Sequence, residues 1–364
     1  MKERIVVGMS GGVDSSVAAA LLVEQGVEVI GVTLRVWPWR EPEESTRKFG
    51  SCCSPETVAD ARAVARRLGI AYYLLNTERE FERAVIEPFA RAYAEGCTPV
   101  PCVACNREVK FGSLVQRARA WDAVAVGTGH YARITREAAG GRFLLWRGRD
   151  TRKDQSDFLW PLTQSQLAAA RFPVGDLTKD AVREKARALG LETADKPESQ
   201  EICFIPDDDY RGFLRRRMPD AFAPGPIVDG QGSVLGRHDG LINYTVGQRR
   251  GLGLSSRRPL YVTALDPGRN ALVVGEAAAV EVDQLRAEQV NLIAVPALTG
   301  PMAVTAKIRH SHEPAAATIE ADGEGAIRVQ FERAQRAPAP GQSVVFYQGD
   351  LVVGGGVIAR PKDP

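Results

Sequence analysis

The sequence predicts an α/β protein: a doubly wound parallel sheet, followed by a small mixed middle domain and a C-terminal β barrel. Three observations carry this. Continuous apolar runs alternate with helical patterns as far as about residue 130. A glycine-rich turn, Gly8-Met9-Ser10-Gly11-Gly12-Val13-Asp14-Ser15-Ser16, joins the first apolar run to the first helical pattern. From Pro224 onward, short β-like runs follow one another between turns such as Asp229-Gly230, Asp239-Gly240 and Asp266-Pro267-Gly268. Apolar runs joined by helices are the signature of parallel strands buried on both faces. Short strands without intervening helices suit a small barrel.

Taken in order, Ile5-Val6-Val7 is the first strand and 17–23 lies on the first helix. Val27 to Leu34 is the second strand. Trp37 to Ser54 is a polar loop, long enough to be functional, and Cys52-Cys53 within it receive no catalytic role. Thr57 to Leu68 is an amphipathic helix stopped by Gly69, and 71–75 is the third strand. Glu78 to Tyr93 and Lys110 to Trp121 read as helical, and 123–127 as a buried strand. Gln164 to Arg171, Lys179 to Leu189 and Asp207 to Arg217 complete the helical patterns. Strands are expected at 303–308, 326–331, 343–347 and 352–358. The expected domains are 1–205, whose helical segment 163–195 is open to packing with the middle domain, then 206–282 and 283–364.

In a doubly wound sheet the ligand lies outside the carboxyl ends of the strands. The glycine turn lies there, and so should Gly127-Thr128-Gly129-His130-Tyr131. A strand–glycine turn–helix aims backbone N–H groups at an anion, and glycine permits its close approach. Ser10, Ser15 and Ser16 add hydroxyls, and Asp14 suits a helix start. The turn lacks a Gly-Lys-Ser/Thr ending, which argues against a P-loop kinase or GTPase. Ser-Gly-Gly-Val-Asp-Ser instead resembles the pyrophosphate loop of the ATP pyrophosphatases, which split ATP between its α and β phosphates.

The 364 residues are 44% apolar and 25% charged, as in soluble globular proteins. No apolar run approaches the ~18 residues of a membrane span. Met1-Lys2-Glu3-Arg4 leads directly into a strand, so no secretory signal is read and a cytoplasmic location without membrane partners is expected. The net charge of +2 means that any nucleic-acid contact must come from local groups. Residues 206–260 hold nine Arg and no Lys, with Arg215-Arg216-Arg217, Arg249-Arg250 and Arg257-Arg258 as candidates. The stretch 243–253, rich in glycine and polar groups, fits either a contact loop or a structural turn.

Six cysteines in a cytosolic chain point to metal or thiol chemistry. Cys102 and Cys105 form a Cys-x-x-Cys behind two prolines and ahead of a helical pattern. Thiols at a helix start ionise more readily. Cys203 follows Glu198-Ser199-Gln200-Glu201-Ile202, far along the chain. Four readings stay open on these residues: half of a zinc site, a 4Fe–4S cluster on Cys102, Cys105 and Cys203, a sulfur-carrying thiol pair, or buried structural cysteines.

The pyrophosphate loop, the cysteines, Gly129-His130-Tyr131-Ala132-Arg133, Lys153-Asp154-Gln155-Ser156 and Ser199-Gln200-Glu201-Ile202-Cys203-Phe204 occur together and in this order. The chain thereby resembles the tRNA-specific 2-thiouridylase family (MnmA, also TrmU) from its first strand to Gly354-Gly355-Gly356. The resemblance implies an adenine-nucleotide-hydrolase-like sheet and an ATP-dependent sulfurtransferase. The enzyme would adenylate the 2-carbonyl oxygen of the wobble uridine in tRNAs for Lys, Glu and Gln, then replace that oxygen with persulfide sulfur. It implies ATP contacts at Gly8, Met9, Ser10, Gly11, Gly12, Val13, Asp14, Ser15, Leu34 and Gly129. Cys203 corresponds to the persulfide cysteine and Cys105 to the nucleophile, so a Cys105–Cys203 disulfide is the expected product. Val100, Pro101 and Cys102 correspond to the target-base motif. Val100 replaces its usual Asn, and Cys102 stands where some members carry an Asp acid/base. Contacts with tRNA correspond to His130, Lys153, Asp154, Gln155, Arg309, His310 and Gln342, with His310 in place of a Tyr. Mg²⁺ is expected with ATP, and the partners are the tRNA anticodon stem-loop and a sulfur-donor protein.

Overall fold

The computed structural model describes residues 2–38, 54–138, 141–197, 202–205, 209–323 and 325–361. Cys52, Cys53 and the stretch Glu198-Ser199-Gln200-Glu201 lie outside the described residues. The chain divides into two units: one of 1–85, 101–209 and 350–352, the other of 86–100, 210–349 and 353–364.

The first unit is built on a five-stranded parallel sheet. Its elements begin with β1 (Arg4–Gly8), α1 (Val13–Glu24), β2 (Glu28–Arg35), α2 (Pro55–Leu68), β3 (Ala71–Asn76) and α3 (Glu78–Phe81). The next helix, α4 (Glu87–Ala94), belongs to the second unit. The first unit resumes with α5 (Pro101–Ala104), a π-helical stretch Cys105–Ser113, α6 (Leu114–Arg119) and β4 (Ala125–Gly127). The hairpin β5 (Ala132–Arg136) and β6 (Phe143–Arg147) follows, then α7 (Gln164–Ala168), β7 (Ala170–Arg171) and α8 (Lys179–Ala188).

Strand order is β3-β2-β1-β4-β7. The order reverses between β1 and β4, which opens a crevice at their carboxyl ends. Ile5 and Val7 pack in one core with Val17 and Leu22 of α1, Ala61 and Ala65 of α2, and Val182 and Ala186 of α8. Val6 points to the other face and is equally buried, as a sheet covered on both sides requires. The expected helix 164–171 ends early. After Ala168 the chain extends, Val126 donates to Ala169, and Ala170-Arg171 becomes the edge strand beside β4. That gain of sheet hydrogen bonds outweighs three more residues of helix.

The second unit contains two β structures. α9 (Tyr210–Arg217) precedes β8 (Gly225–Val228), β9 (Val234–His238), β10 (Tyr261–Asp266) and β11 (Ala271–Gly275), ordered β10-β11-β8-β9. Then come β12 (Glu281–Leu292), β13 (Met302–Lys307), β14 (Ala315–Ala321), β15 (Ile327–Arg336), β16 (Ser343–Gln348) and β17 (Leu351–Ile358). These run β12-β15-β14-β13-β16-β17, and β12 also pairs with β17 from Ala287↔Ile358 to Leu292↔Gly354, which closes the barrel. Alternate residues such as Ala287, Ile319, Val329 and Phe346 fill it. Among the described residues, no helix is long and apolar enough to cross a membrane.

Candidate functional site

The glycine turn leaves the central strand β1 and enters α1 at the point where strand order reverses. β2 pins its start: Met9 N–H donates to Val32 O at 2.8 Å, and Thr33 Oγ1 donates to Met9 O at 2.6 Å. Tyr72 Oη in turn donates to Thr33 Oγ1 at 2.8 Å. Gly11 has φ +69°, and a Cβ there would lie 2.2 Å from Thr57 O in the first turn of α2. Only glycine fits that position. Ser10 N–H donates to Ser15 Oγ at 3.1 Å, and Ser16 Oγ donates to Gly12 O at 2.8 Å. Gly12 caps α1 with no side-chain hydrogen bond. On the opposite flank, a Cβ on Gly129 would lie 2.6 Å from Ser15 N. The loop after β4 therefore lies directly on the glycine turn, as the sheet topology predicts. Leu34, half-buried, is the next-to-last residue of β2, near the same edge.

Asp14 lies in the first turn of α1 and is not exposed to solvent alone. Tyr131 Oη donates to its Oδ1 at 2.7 Å, and Lys179 Nζ lies 2.7 Å from both carboxylate oxygens. Lys179 is the first residue of α8, set there by the Thr178 cap and by its own N–H donating to Asp150 Oδ2 at 3.0 Å. A second ammonium, Lys196 Nζ, donates to Gly11 O at 3.2 Å and forms an ion pair with Asp60 of α2. Tyr131 is expected at this edge of the sheet, whereas Lys179, Lys196 and Asp60 are missing from the sequence-derived site. The positions of the two lysines carried no motif; they meet the turn only because α8 and the chain after it fold back over α1 and α2.

His130 follows Gly129. Its Nδ1 shares a 2.7 Å hydrogen bond with Thr128 Oγ1, and its ring meets Phe111 and Phe172 at centroid distances of 6.2 and 5.8 Å. Burial, with the charge of Lys110 adding to it, holds the imidazole neutral with a pKa well below the ordinary range.

Phe111 belongs to the π-helical stretch that Cys105 opens. Cys102, in the preceding short helix, is exposed; Cys105 and Cys203 are half-buried. Asn106, buried beside Cys105, donates through Nδ2 to Phe158 O at 3.1 Å. Phe204, next to Cys203, is buried edge-on to Phe81 of α3 at 5.7 Å. Glu80 of the same helix accepts from Ser113 Oγ at 2.8 Å and pairs with Arg117. The elements carrying Cys105 and Cys203 thus meet at α3. The cluster reading does not fit. Among the described residues, which include all three cysteines, no three His, Cys, Asp or Glu side chains gather as metal ligands. Cys102 faces solvent, whereas the Cys203 turn is anchored by buried Phe204 and Ile205.

The residues expected at tRNA are placed unequally. Lys153 is half-buried on the turn after β6. Asp154 points inward: its carboxylate accepts from Gly148 N, Ser156 N and Ser156 Oγ at 2.9–3.1 Å, and burial raises its pKa. It organises the turn. Gln155 pairs with Tyr131 in both directions, at 3.0 Å through its N–H and 3.2 Å through Oε1. Pro101 is buried at the start of its helix. In the second unit, Arg309 and His310 are exposed, and Arg309 Nη2 donates to Arg336 O at 3.0 Å. Gln342 Nε2 donates to Thr98 O at 2.7 Å, and Thr98 N donates to Pro340 O, which fixes the segment leading to half-buried Val100. Arg215 and Arg217 lie over the rings of Phe222 and Phe213, and Arg258 pairs with Glu276, whereas Arg249 and Arg250 are exposed.

Three family profiles match in succession. Residues 3–207 match one described as tRNA methyl transferase HUP domain, and 211–276 one described as tRNA methyl transferase PRC-barrel domain. Residues 282–358 match the aminomethyltransferase beta-barrel domain. The first unit is thus of the HUP class, with a pyrophosphate-type loop at its switch point. A tRNA-specific 2-thiouridylase MnmA of Heliobacterium modesticaldum is 54% identical over 100% of this chain and 94% of its own length. The proteins of the same name in Symbiobacterium thermophilum and Clostridium perfringens are 52% and 49% identical, each over 98% of this chain and over 92% and 98% of their own lengths. The chain belongs to the tRNA-specific 2-thiouridylase family. Among solved structures, an NMN synthetase from Francisella tularensis is similar at 19% identity and a TM-score of 0.34, covering 60% of this chain and 73% of that one.

Proposed function

We propose that this protein is a cytoplasmic tRNA-uridine 2-sulfurtransferase that activates its base with ATP and delivers sulfur from a cysteine persulfide. The observation that carries this is the glycine turn between Gly129 and α2, in a chain that matches the 2-thiouridylases along its whole length.

A uracil 2-carbonyl is a poor electrophile because amide-like resonance stabilises it. Gly8–Ser15, Leu34 and Gly129 hold ATP so that the carbonyl oxygen attacks the α-phosphorus and pyrophosphate leaves. The oxygen is then part of AMP, a good leaving group. The terminal sulfur of a persulfide on Cys203 adds to C2, and AMP is expelled. The Cys105 thiolate next attacks Sγ of Cys203. This breaks the S–S bond, leaves the sulfur on the base as 2-thiouridine, and forms a Cys105–Cys203 disulfide. Two electrons from an external dithiol, which is itself oxidised to a disulfide, return Cys105 and Cys203 to thiols. Val100, Pro101 and Cys102 border the base, and Cys102, which is exposed, serves as its acid/base group. His130, held neutral, is a hydrogen-bonding and stacking surface for RNA rather than a cation.

Mg²⁺ keeps most of its waters and binds through phosphates plus one or two carboxylates, so it needs no cage of three protein ligands. Bound, it would neutralise phosphate charge. The anticodon loops of tRNAs for Lys, Glu and Gln present an unpaired wobble uridine, which can be splayed into a pocket. Lys153, Gln155, Arg309, His310 and Gln342 accompany them, with Asp154 shaping the turn. A sulfur-donor protein loads Cys203. The test is release of AMP and pyrophosphate from ATP by the purified protein. It should depend on unmodified tRNA. Release that depends on a small carboxylic acid instead would overturn the reading in favour of a ligase.

A further inference from the structure

The two ammonium groups at the glycine turn are bound differently. Lys179 is committed: its side chain is 7% exposed, it holds both oxygens of Asp14, and it lies 5.7 Å from the centre of the Tyr131 ring. It neutralises Asp14 and is a positioning residue. Lys196 is 21% exposed, and its counter-ion Asp60 is 31% exposed. It approaches from a turn in which its own N–H donates to Thr193 O. Its ammonium sits on the carbonyl of Gly11. A loop that aims N–H groups at an anion turns its carbonyls to the rim, so an ammonium on that carbonyl stands beside the anion. It also offsets the repulsion between a carbonyl oxygen and a phosphate.

The two flanks of the turn have different neighbours. Gly129 and Tyr131 lie on the Asp14–Ser15 side, whereas Thr57, Asp60 and Lys196 lie on the Gly11 side. With the base on the Gly129 side, as the proposed function has it, the α-phosphate faces that side and the β- and γ-phosphates extend towards α2. We propose that Lys196 grips the β- and γ-phosphoryl oxygens of ATP, exchanging Asp60 for the phosphates, and stabilises the pyrophosphate that leaves. As the uridine oxygen bonds to the α-phosphorus, the bond from that phosphorus to the bridging oxygen breaks and its electron pair goes to pyrophosphate. The ammonium bears on that growing charge and transfers no proton.

This inference rests on the ATP-dependent reading above. The test measures binding of α,β-methylene-ATP, inorganic pyrophosphate and AMP to the full-length protein. The variants are Lys196→Met, Lys196→Arg and Asp60→Asn, each checked for native melting behaviour. Lys196→Met is expected to weaken the ATP analogue and pyrophosphate by about tenfold or more, the worth of a charge-assisted contact, with AMP within about twofold. Lys196→Arg should recover part of the loss. Asp60→Asn, which removes the competing carboxylate, should bind the analogue as well as wild type or better. Equal losses for AMP and the analogue would make Lys196 a clamp for α2 and overturn the proposal. So would unchanged analogue binding in Lys196→Met, or a loss in Asp60→Asn matching that in Lys196→Met. If wild type itself binds no ATP analogue, the ATP-dependent reading fails, and the failure is not one of Lys196.

Discussion

Asp14 and Lys179 form a pair in which neither partner is independent. Replacing Asp14 by Ala leaves an ammonium that is 7% exposed without its carboxylate. The loss should be about 2 kcal/mol, moderated because Asp14 is itself 30% exposed. Asp14→Ala combined with Lys179→Met should recover most of that stability, read as a urea midpoint, yet AMP formation should stay lost in both proteins. Recovery of turnover in the double variant would show that the pair only holds the fold. His130 adds a pH dependence. Its folded pKa lies well below the ordinary value of about 6.5, so as pH falls the unfolded chain binds that proton first. The contribution is fully present above about pH 6.5 and is lost progressively below it, until the folded imidazole also protonates. His130→Gln should make the fall in urea midpoint between pH 7 and pH 5 shallower. It should not flatten it, because His238 and His312 are also held below the ordinary range. An unchanged slope would contradict the neutral, desolvated state of His130.

At the scale of elements, α8 matters through its first residue. Thr178 caps it, accepting from Ala181 N at 3.3 Å, and so sets where Lys179 begins. Thr178→Ala should lower stability by about 1 kcal/mol and raise KM for ATP several-fold, measured by thermal melting and AMP release. A lost cap with unaltered KM would mean that Lys179 needs no such placement. Much at this scale was legible: Gly69 stops α2, and Ile5-Val6-Val7 has the continuous apolar pattern of a doubly covered strand, although the Ser54 cap starts α2 at Pro55, ahead of the expected Thr57. β12 was not. Glu281, Asp283 and Gln284 are exposed and Gln289 adopts φ 51°, so its polar outer face and irregular pairing hide the alternation. The hairpin β5–β6 escaped notice too, because half-buried Arg133 and Arg147 and exposed Thr135 interrupt its apolar pattern. The π-helical run from Cys105 to Ser113 has no sequence signal, yet it sets the orientation of the residues after Cys105.

At the scale of the molecule, the motifs disclosed the parts of the site better than their assembly. The meeting of the Gly8–Ser15 turn with Gly129 was legible because a glycine-rich turn after a strand and a loop after a neighbouring parallel strand share one edge of the sheet. Lys179 and Lys196 were not, since a lone lysine says nothing until a distant helix returns it to the turn. The inward carboxylate of Asp154 was likewise hidden, because an acid on a surface turn and one buried by three donors look alike in sequence. The account as a whole divides the reaction into activation at the turn and sulfur delivery by two cysteines. The most direct measurement is a single-turnover experiment with persulfide-loaded protein, tRNA and ATP, comparing wild type with Cys203→Ser and following AMP, pyrophosphate and 2-thiouridine together. Cys203→Ser should still release pyrophosphate and accumulate adenylated tRNA, with no 2-thiouridine. Formation of 2-thiouridine by Cys203→Ser at the wild-type yield, with sulfide absent, would contradict the account.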